Sequence, residues 1–231
     1  MSDPRTKPRW GWWIATSLVM CLVAAALRVG LPIYRRNSAL AMAQRFNFRI
    51  ITFPQTPNWL SRHVSWGWTS GFESVFQVFN SDPDNKLTRR QTLELLSQIR
   101  VLGELKELGL YGADLNDADL TVLECFPTLK FLDLRSTSIT DDGLKYLVGS
   151  SNLQILWLTE TQIDDAGLEH IATLTKLETL HLDRTRVSNA GLKHLAKLPN
   201  LRELTVSNTA VTDAGLDELL KTHTTLSVSD D

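Results

Sequence analysis

Residues able to act as nucleophiles, bases or metal ligands fall into none of the arrangements that hydrolases and metalloenzymes use. The segment GWTSG at 67–71 is not a nucleophile elbow, because its serine stands one position too late for the G-x-S-x-G turn. The sequence contains no phosphate-binding loop, dinucleotide fingerprint or H-E-x-x-H motif. Two cysteines, Cys21 and Cys125, are too few for a disulfide framework or a cysteine-based zinc site. We therefore expect no catalytic residue, no metal ligand and no cofactor, and a protein that is not an enzyme.

Histidines and paired acids recur at a regular spacing, but the spacing does not match a metal site. His170 and His194 stand 24 residues apart, and solvated positions on neighbouring helices explain them more simply than a shared metal. The acidic pairs at 141–142 and 164–165 precede predicted helices, where one acid can cap the helix and the other favours its dipole. The ligand spacing of a calcium-binding loop is missing. These residues indicate a repeated unit instead.

A period of 24 residues positions these groups. Leucine occupies offsets zero, three and fifteen in all five copies, which begin at Leu105, Leu129, Leu153, Leu177 and Leu201. Offset five is leucine except at Val206, and offset eighteen is leucine or Ile171. Alternation around offset four predicts a strand with one buried face, and offsets fifteen and eighteen predict one helical stripe. Offset twelve is always Asp or Asn, which predicts a helix N-cap there.

The five copies resemble leucine-rich repeats of the subtype LxxLxLxxTxhTDxGLxxL. The resemblance covers residues 105–224 and implies a right-handed α/β solenoid, with a parallel sheet on the concave face and helices on the convex face. No single copy can bury its leucines alone, so stacking supplies the core. The first copy departs from the subtype, with Ala113 for threonine at offset eight and Asp119 for glycine at offset fourteen. We assign residues 105–231 to five repeats and a short C-terminal edge strand.

An uncharged run from Trp10 to Leu27 predicts a transmembrane helix before the repeats. Continued to Leu31, the helix would span about 33 Å, against a hydrocarbon core of about 30 Å. A signal peptide cleaved at the alanines 24–26 is the alternative, and three tryptophans at the start of the run favour a retained anchor.

The segments before the repeats follow an order similar to that of planctomycete-type membrane-anchored leucine-rich-repeat proteins. We assign residues 1–9 to a basic tail, 10–31 to the transmembrane anchor, 32–71 to a juxtamembrane helix, strand and Trp-rich linker, and 72–104 to a cap of the solenoid. Within the last two segments, the patterns predict a strand in 47–53, a strand at 72–79 and a helix at 87–99.

Charge divides the chain near residue 62. Residues 1–62 carry nine basic side chains and one acidic one, whereas residues 63–231 carry fifteen basic and twenty-five acidic ones, so +8 and −10 give the net charge of −2. The acidic body argues against nucleic acid as a partner, because phosphate contacts need clustered Lys and Arg. Basic residues flank the apolar run on both sides, so the positive-inside rule leaves the orientation of this single-pass membrane protein open.

The concave face, formed by offsets two, four and six of each repeat, carries the clearest functional signal. Strand geometry points these side chains away from the leucine core. An aromatic and apolar centre with a charged rim has the composition of a protein-binding hot spot. The candidate partner-binding residues are Tyr111, Phe131, Asp133, Arg135, Ile155, Trp157, His181 and Asp183. Coverage of this patch by the N-terminal segment of the same chain is the alternative.

These observations predict a membrane-anchored, non-enzymatic module that binds a protein partner through the concave face. One alternative is a substrate receptor of a ubiquitin-ligase-type complex, because similar repeats occur in F-box proteins, although residues 35–100 show no F-box-like helical segment. The other is a secreted leucine-rich-repeat binding protein, which requires the N-terminal segment to be a cleaved signal.

Overall fold

The repeats form one parallel sheet whose register follows the 24-residue period. The computed structural model describes residue 41 and residues 48–54, 73–80, 88–99 and 105–229. Within these residues the strands are β1 (Phe48–Pro54), β2 (Glu73–Asn80), β3 (Glu107–Gly109), β4 (Phe131–Asp133), β5 (Ile155–Trp157), β6 (Thr179–His181), β7 (Glu203–Thr205) and β8 (Ser227–Ser229). The six strands β3 to β8 run parallel in chain order, each paired with the next.

Helical segments alternate with these strands. The helices are α1 (Arg89–Ile99), α2 (Asp141–Leu144), α3 (Gly167–Ile171), α4 (Asn189–Leu195) and α5 (Asp213–Thr222), with 3₁₀ helices at Asp117–Cys125 and Lys145–Leu147. The offset-three leucine at the centre of each strand and the offset-fifteen leucine of each helical segment are buried in one continuous core. Leu132, Leu156 and Leu180 have no exposed surface. The leucine pattern thus places the core between the sheet and the helices.

Each repeat leaves the sheet through a residue in the left-handed conformation at offset seven. Gly112 has φ 62°, and the equivalent Ser136, Glu160, Arg184 and Asn208 have φ between 55° and 61°. A non-glycine residue in this conformation is under strain of about 1–2 kcal/mol. Offset eight then closes the turn, since the buried Thr137 hydroxyl donates a hydrogen bond to the Leu134 carbonyl oxygen at 2.6 Å. The same bond forms in the third, fourth and fifth repeats.

The offset-twelve acid does not cap its own helix, and the prediction of an N-cap at this position is wrong. In the second, fourth and fifth repeats the N-cap stands one residue earlier, at Thr140, Ser188 and Thr212. The offset-twelve side chain instead binds the offset-eleven residue of the following repeat: Asp117 accepts hydrogen bonds from Thr140 N at 2.8 Å and Thr140 Oγ1 at 2.7 Å. Asp165 accepts the same pair of bonds from Ser188. We call this series of contacts the Asx ladder (117 to 140, 141 to 164, 165 to 188, 189 to 212).

The Asx ladder explains the glycine at offset fourteen and its absence from the first copy. A Cβ atom on Gly191 would stand 2.4 Å from Asp165 Oδ1, so a side chain there would displace the ladder carboxylate. The first copy follows no ladder residue, and its Asp119 accepts a hydrogen bond from Asn116 N at 2.8 Å and pairs with Arg89 of α1 at 3.1 Å. The departure from the subtype therefore joins α1 to the first repeat.

Two further strands extend the sheet before the first repeat. Strand β2 pairs with β3 in parallel, with Gln77 opposite Glu107, and β1 pairs with β2 antiparallel. The alternation at 72–79 predicts β2 within one residue, but the sequence did not predict that β1 joins the same sheet. The expected anchor at 10–31 lies outside the described residues. Among those described, no helix is long and apolar enough to cross a membrane.

Candidate functional site

The sheet register sets the candidate residues side by side. Phe131 and Ile155 are opposite each other on β4 and β5, and so are Asp133 and Trp157. His181 on β6 stands opposite Trp157 on its other side. Trp157 therefore lies at the centre of the concave face, as its offset predicts.

Four of the candidate side chains form a continuous stack across the repeats. The Arg135 guanidinium carbon lies 4.2 Å from the centre of the Trp157 ring and 5.3 Å from that of Tyr111. Trp157 also stacks on His181, with 5.3 Å between ring centres and 14° between planes. We call Tyr111, Arg135, Trp157 and His181 the aromatic stack. Cation–π and ring contacts of this kind each contribute about 0.5–1.5 kcal/mol.

Phe131 and Ile155 provide the apolar part of the site. Phe131 meets the Trp157 ring edge to face, with 4.7 Å between centres and 83° between planes. Both side chains are half-buried, whereas the offset-three leucines on the same strands are fully buried. Apolar surface thus remains on the open side of the sheet, next to the aromatic stack.

Asp133 is buried, in contrast to the expectation that it lies on a charged rim. Its carboxylate accepts hydrogen bonds from Arg135 Nε at 2.9 Å and Nη2 at 2.7 Å, and from the Arg135 main-chain N–H at 3.0 Å. The hydrogen bond to Asp133 raises the pKa of Arg135, and this outweighs the effect of burial, which lowers it. The ion pair holds the guanidinium over the indole, so Asp133 positions Arg135 within the site.

Asp183 is also engaged by the protein itself. It accepts hydrogen bonds from Thr205 Oγ1, from Ser207 N at 2.9 Å and from Thr159 Oγ1 at 3.2 Å. Burial raises the pKa of Asp183, but these hydrogen bonds stabilise the carboxylate and lower the pKa overall. Asp183 therefore links three neighbouring repeats as an ionised side chain.

One residue at the site was missing from the sequence-based selection. Glu203 Oε1 lies 3.7 Å from His181 Nε2, which is too long for a hydrogen bond but close enough for attraction to an imidazolium. Glu203 stands at offset two of the repeat after His181, so the diagonal neighbours across the predicted strands could have indicated this contact.

Two polar atoms at the centre of the site lack hydrogen-bond partners among the described residues. Trp157 Nε1 and His181 Nε2 are both buried, and neither has a hydrogen-bond partner within the described part of the chain. An indole nitrogen is only ever a donor, so Trp157 Nε1–H needs an acceptor. Buried polar groups are satisfied in the great majority of proteins, which makes these two atoms unusual.

The described surfaces outside the concave face provide weaker candidates for a functional site. Over the described ranges, no three His, Cys, Asp or Glu side chains gather closely enough to hold a metal ion. An open groove between α4 and α5 is lined by Leu192, Ala196 and Leu219, but it lies on the helical side of the molecule and includes none of the candidate residues.

A Leucine Rich repeat family model matches residues 127–148 and 197–220. Internalin C2 from Listeria monocytogenes is 30% identical, with 58% of this chain and 55% of that protein covered and a TM-score of 0.49. A second internalin from the same bacterium is 18% identical, with 63% and 47% covered and a TM-score of 0.51. A leucine-rich repeat protein from Leptospira interrogans is 20% identical, with 57% and 38% covered and a TM-score of 0.44. No curated protein matches the chain.

The chain spans about half the length of the two internalins, at 55% and 47%. The family match supports a leucine-rich repeat protein, and the likeness to the second internalin supports the solenoid fold.

Proposed function

We propose that this protein is a membrane-anchored interaction module, without enzymatic activity of its own, that binds a protein partner on the concave face of its repeats. Leucine-rich repeat folds generally mediate protein–protein interaction and are generally non-enzymatic. The observation that supports this proposal best is the half-buried apolar pair Phe131 and Ile155 beside the aromatic stack. Trp and Arg are the residue types most enriched in binding hot spots, and here they stand at the centre of the sheet.

The proposed anchor is residues 10–31, on the strength of their hydropathy and their aromatic start. The repeats are proposed to be of the T-D-x-G-L subtype, since the Asx ladder and the glycine at offset fourteen give the subtype's two characteristic positions a shared physical role. A membrane-anchored solenoid would present its concave face to proteins at the membrane surface.

Site-specific crosslinking tests the binding face. A photo-activatable amino acid replaces Ile155 in one variant and, as a matched control, the exposed Lys193 of α4 in the other. Illumination of cells that produce each full-length variant should give a discrete crosslinked protein from position 155 and none from position 193. Equal crosslinking from both positions, or none from either, would contradict the proposal.

The crosslinked protein then allows a measurement of affinity. Ile155→Ala removes half-buried apolar surface and should weaken capture of that partner by about 2 kcal/mol or more. Thr179→Ala, at the same offset in the next repeat, should have little effect. Thermal melts of both variants establish that the solenoid remains folded. Capture by Ile155→Ala at the wild-type level would remove the concave face as the binding site.

A further inference from the structure

The Trp157 indole has both of its faces occupied by the protein itself. Arg135 comes from the preceding repeat and His181 from the following one, and strands β4 and β6 flank β5 on opposite sides. Phe131 approaches the same ring at 4.7 Å. A ligand therefore finds no free face for stacking or for a cation–π contact. The edge of the ring that carries Nε1–H is the part that still needs a hydrogen-bond acceptor.

The hydrogen-bonding groups around Trp157 are unequally used. Both oxygens of Asp133 accept from Arg135, and both oxygens of Asp183 accept from neighbouring repeats. By contrast, Trp157 Nε1 and His181 Nε2 have no hydrogen-bond partner in the described part of the chain. Among the described residues Trp157 Nε1–H therefore has no acceptor, and an oxygen atom from a partner would supply one.

The charges around the site favour a neutral oxygen over a carboxylate. The Arg135 cation lies over the indole, and the buried Asp133 already neutralises it. Glu203 and the ionised Asp183 add negative charge on the His181 side. A partner carboxylate would meet these like charges, whereas a carbonyl oxygen would not.

Resting on the proposed function, we propose that the partner docks as an extended polypeptide segment whose carbonyl oxygen accepts a hydrogen bond from Trp157 Nε1–H. The apolar side chain next to that carbonyl covers Ile155. Because Nε1 is buried, a bordering side chain turns aside as the segment binds, and the Glu203 side chain beside His181 is exposed enough to do so, at 56%.

Trp157→Phe tests this hydrogen bond, because it keeps an aromatic ring between Arg135 and His181 and removes the N–H donor. The probes are synthetic dodecapeptides selected from a random display library on the full chain in detergent micelles. Peptides whose binding is weakened by Ile155→Ala should bind Trp157→Phe at least tenfold more weakly, and Lys193→Gln should bind them like the wild type. The indole N–H resonance of Trp157, identified by its loss in Trp157→Phe, should shift when peptide is added.

An ester in place of one peptide bond identifies the accepting oxygen, since an ester carbonyl is the weaker acceptor. At the contacting residue it should lower binding to wild type and cause no further loss with Trp157→Phe. Peptides sensitive to Ile155→Ala but not to Trp157→Phe would overturn the hydrogen bond and leave the proposed function standing, as would peptides that require a carboxylate. Peptides insensitive to both substitutions, or a library without binders, would count against both proposals.

Discussion

At the scale of single residues, the Asx ladder decides which side chains neighbouring repeats can carry. Gly191→Ala would force its Cβ against Asp165 Oδ1 at 2.4 Å, and the carboxylate would lose its bonds to Ser188. Hydrogen bonds to charged groups contribute about 1.5–3 kcal/mol each, so we expect a loss of about 2–4 kcal/mol in the free energy of unfolding. Urea denaturation of the full chain measures it.

Gly149→Ala is the matched control, since no atom lies within 4 Å of a Cβ placed there. Its effect should stay within about 0.5 kcal/mol. Adding Asp165→Ala to Gly191→Ala should cost less than Asp165→Ala does alone, because the alanine has already displaced the carboxylate. Fully additive losses would show that the two positions do not communicate.

The third repeat contains a like-charge contact within the ladder. Asp164 stands where the second and fourth repeats have Thr140 and Ser188, and Asp141 accepts a hydrogen bond from its N–H at 3.0 Å. Burial raises the pKa of Asp141, and the Asp164 carboxylate adds to the rise. A pKa raised by folding means that the folded state gains stability as the pH falls through it and loses that stability as the pH rises. The pair therefore destabilises the fold at neutral pH.

Asp164→Thr should consequently stabilise the protein at pH 7, by up to about 1 kcal/mol because the pair is partly solvated. The gain should shrink as the pH falls toward 3.8, the ordinary pKa of aspartate, because the raised pKa means that Asp141 takes up its proton in the folded state above that value. Urea midpoints at neutral and acidic pH provide the test, with the exposed Asp114→Thr as control. A gain that persists unchanged in acid would mean that charge repulsion is not its cause.

The sequence predicts which site residues share a face, but not what they bond to. Offset parity alone places Phe131, Ile155 and Trp157 on the open side of the sheet. It does not show that Asp133 is buried under Arg135, because that contact depends on side-chain rotamers within one repeat. The sequence did not predict the Asx ladder for a similar reason. Within a single repeat the offset-twelve residue resembles an N-cap, whereas the group that donates to it belongs to the next repeat.

At the scale of elements, stability should depend on how many neighbours a repeat has. Leu156 lies on β5 inside the stack, has no exposed surface and should cost about 2–5 kcal/mol when replaced by alanine. Leu226, beside the edge strand β8, is 8% exposed and contacts a repeat on one side, so Leu226→Ala should cost clearly less. Comparable shifts of the denaturation midpoint would mean that the repeats do not stabilise one another in this way.

The 24-residue period predicts the strands within the repeats but not the strands before them. Strands β3 to β7 occupy offsets two to four of their repeats, because alternation and the leucine register determine both position and face. For β1 the pattern at 47–53 predicts a strand but not its partner. Residues 55–72 separate β1 from β2, and antiparallel pairing over that distance leaves no repeating pattern in the sequence. The extension of the sheet before the first repeat therefore had to be observed.

At the scale of the whole molecule, charge and hydropathy distinguish residues 1–62 from residues 63–231. Residues 1–62 carry +8 and the uncharged run, and the remaining chain carries −10. Basic residues beside an apolar helix are attracted to anionic lipid headgroups, whereas an acidic solenoid is repelled by them. For a chain held at a membrane by the proposed anchor, this distribution would keep the acidic repeats apart from anionic lipid headgroups.

The full chain should accordingly partition with membranes and resist carbonate extraction, because about 20 apolar residues suffice to span the hydrocarbon core. A chain of residues 35–231 contains every described residue and lacks the run, so it should remain in the supernatant. Mass analysis of the native protein should place its N-terminus before residue 24. A mature N-terminus near Leu27 would instead identify the run as a cleaved signal, and the partner would then have to be sought among secreted proteins.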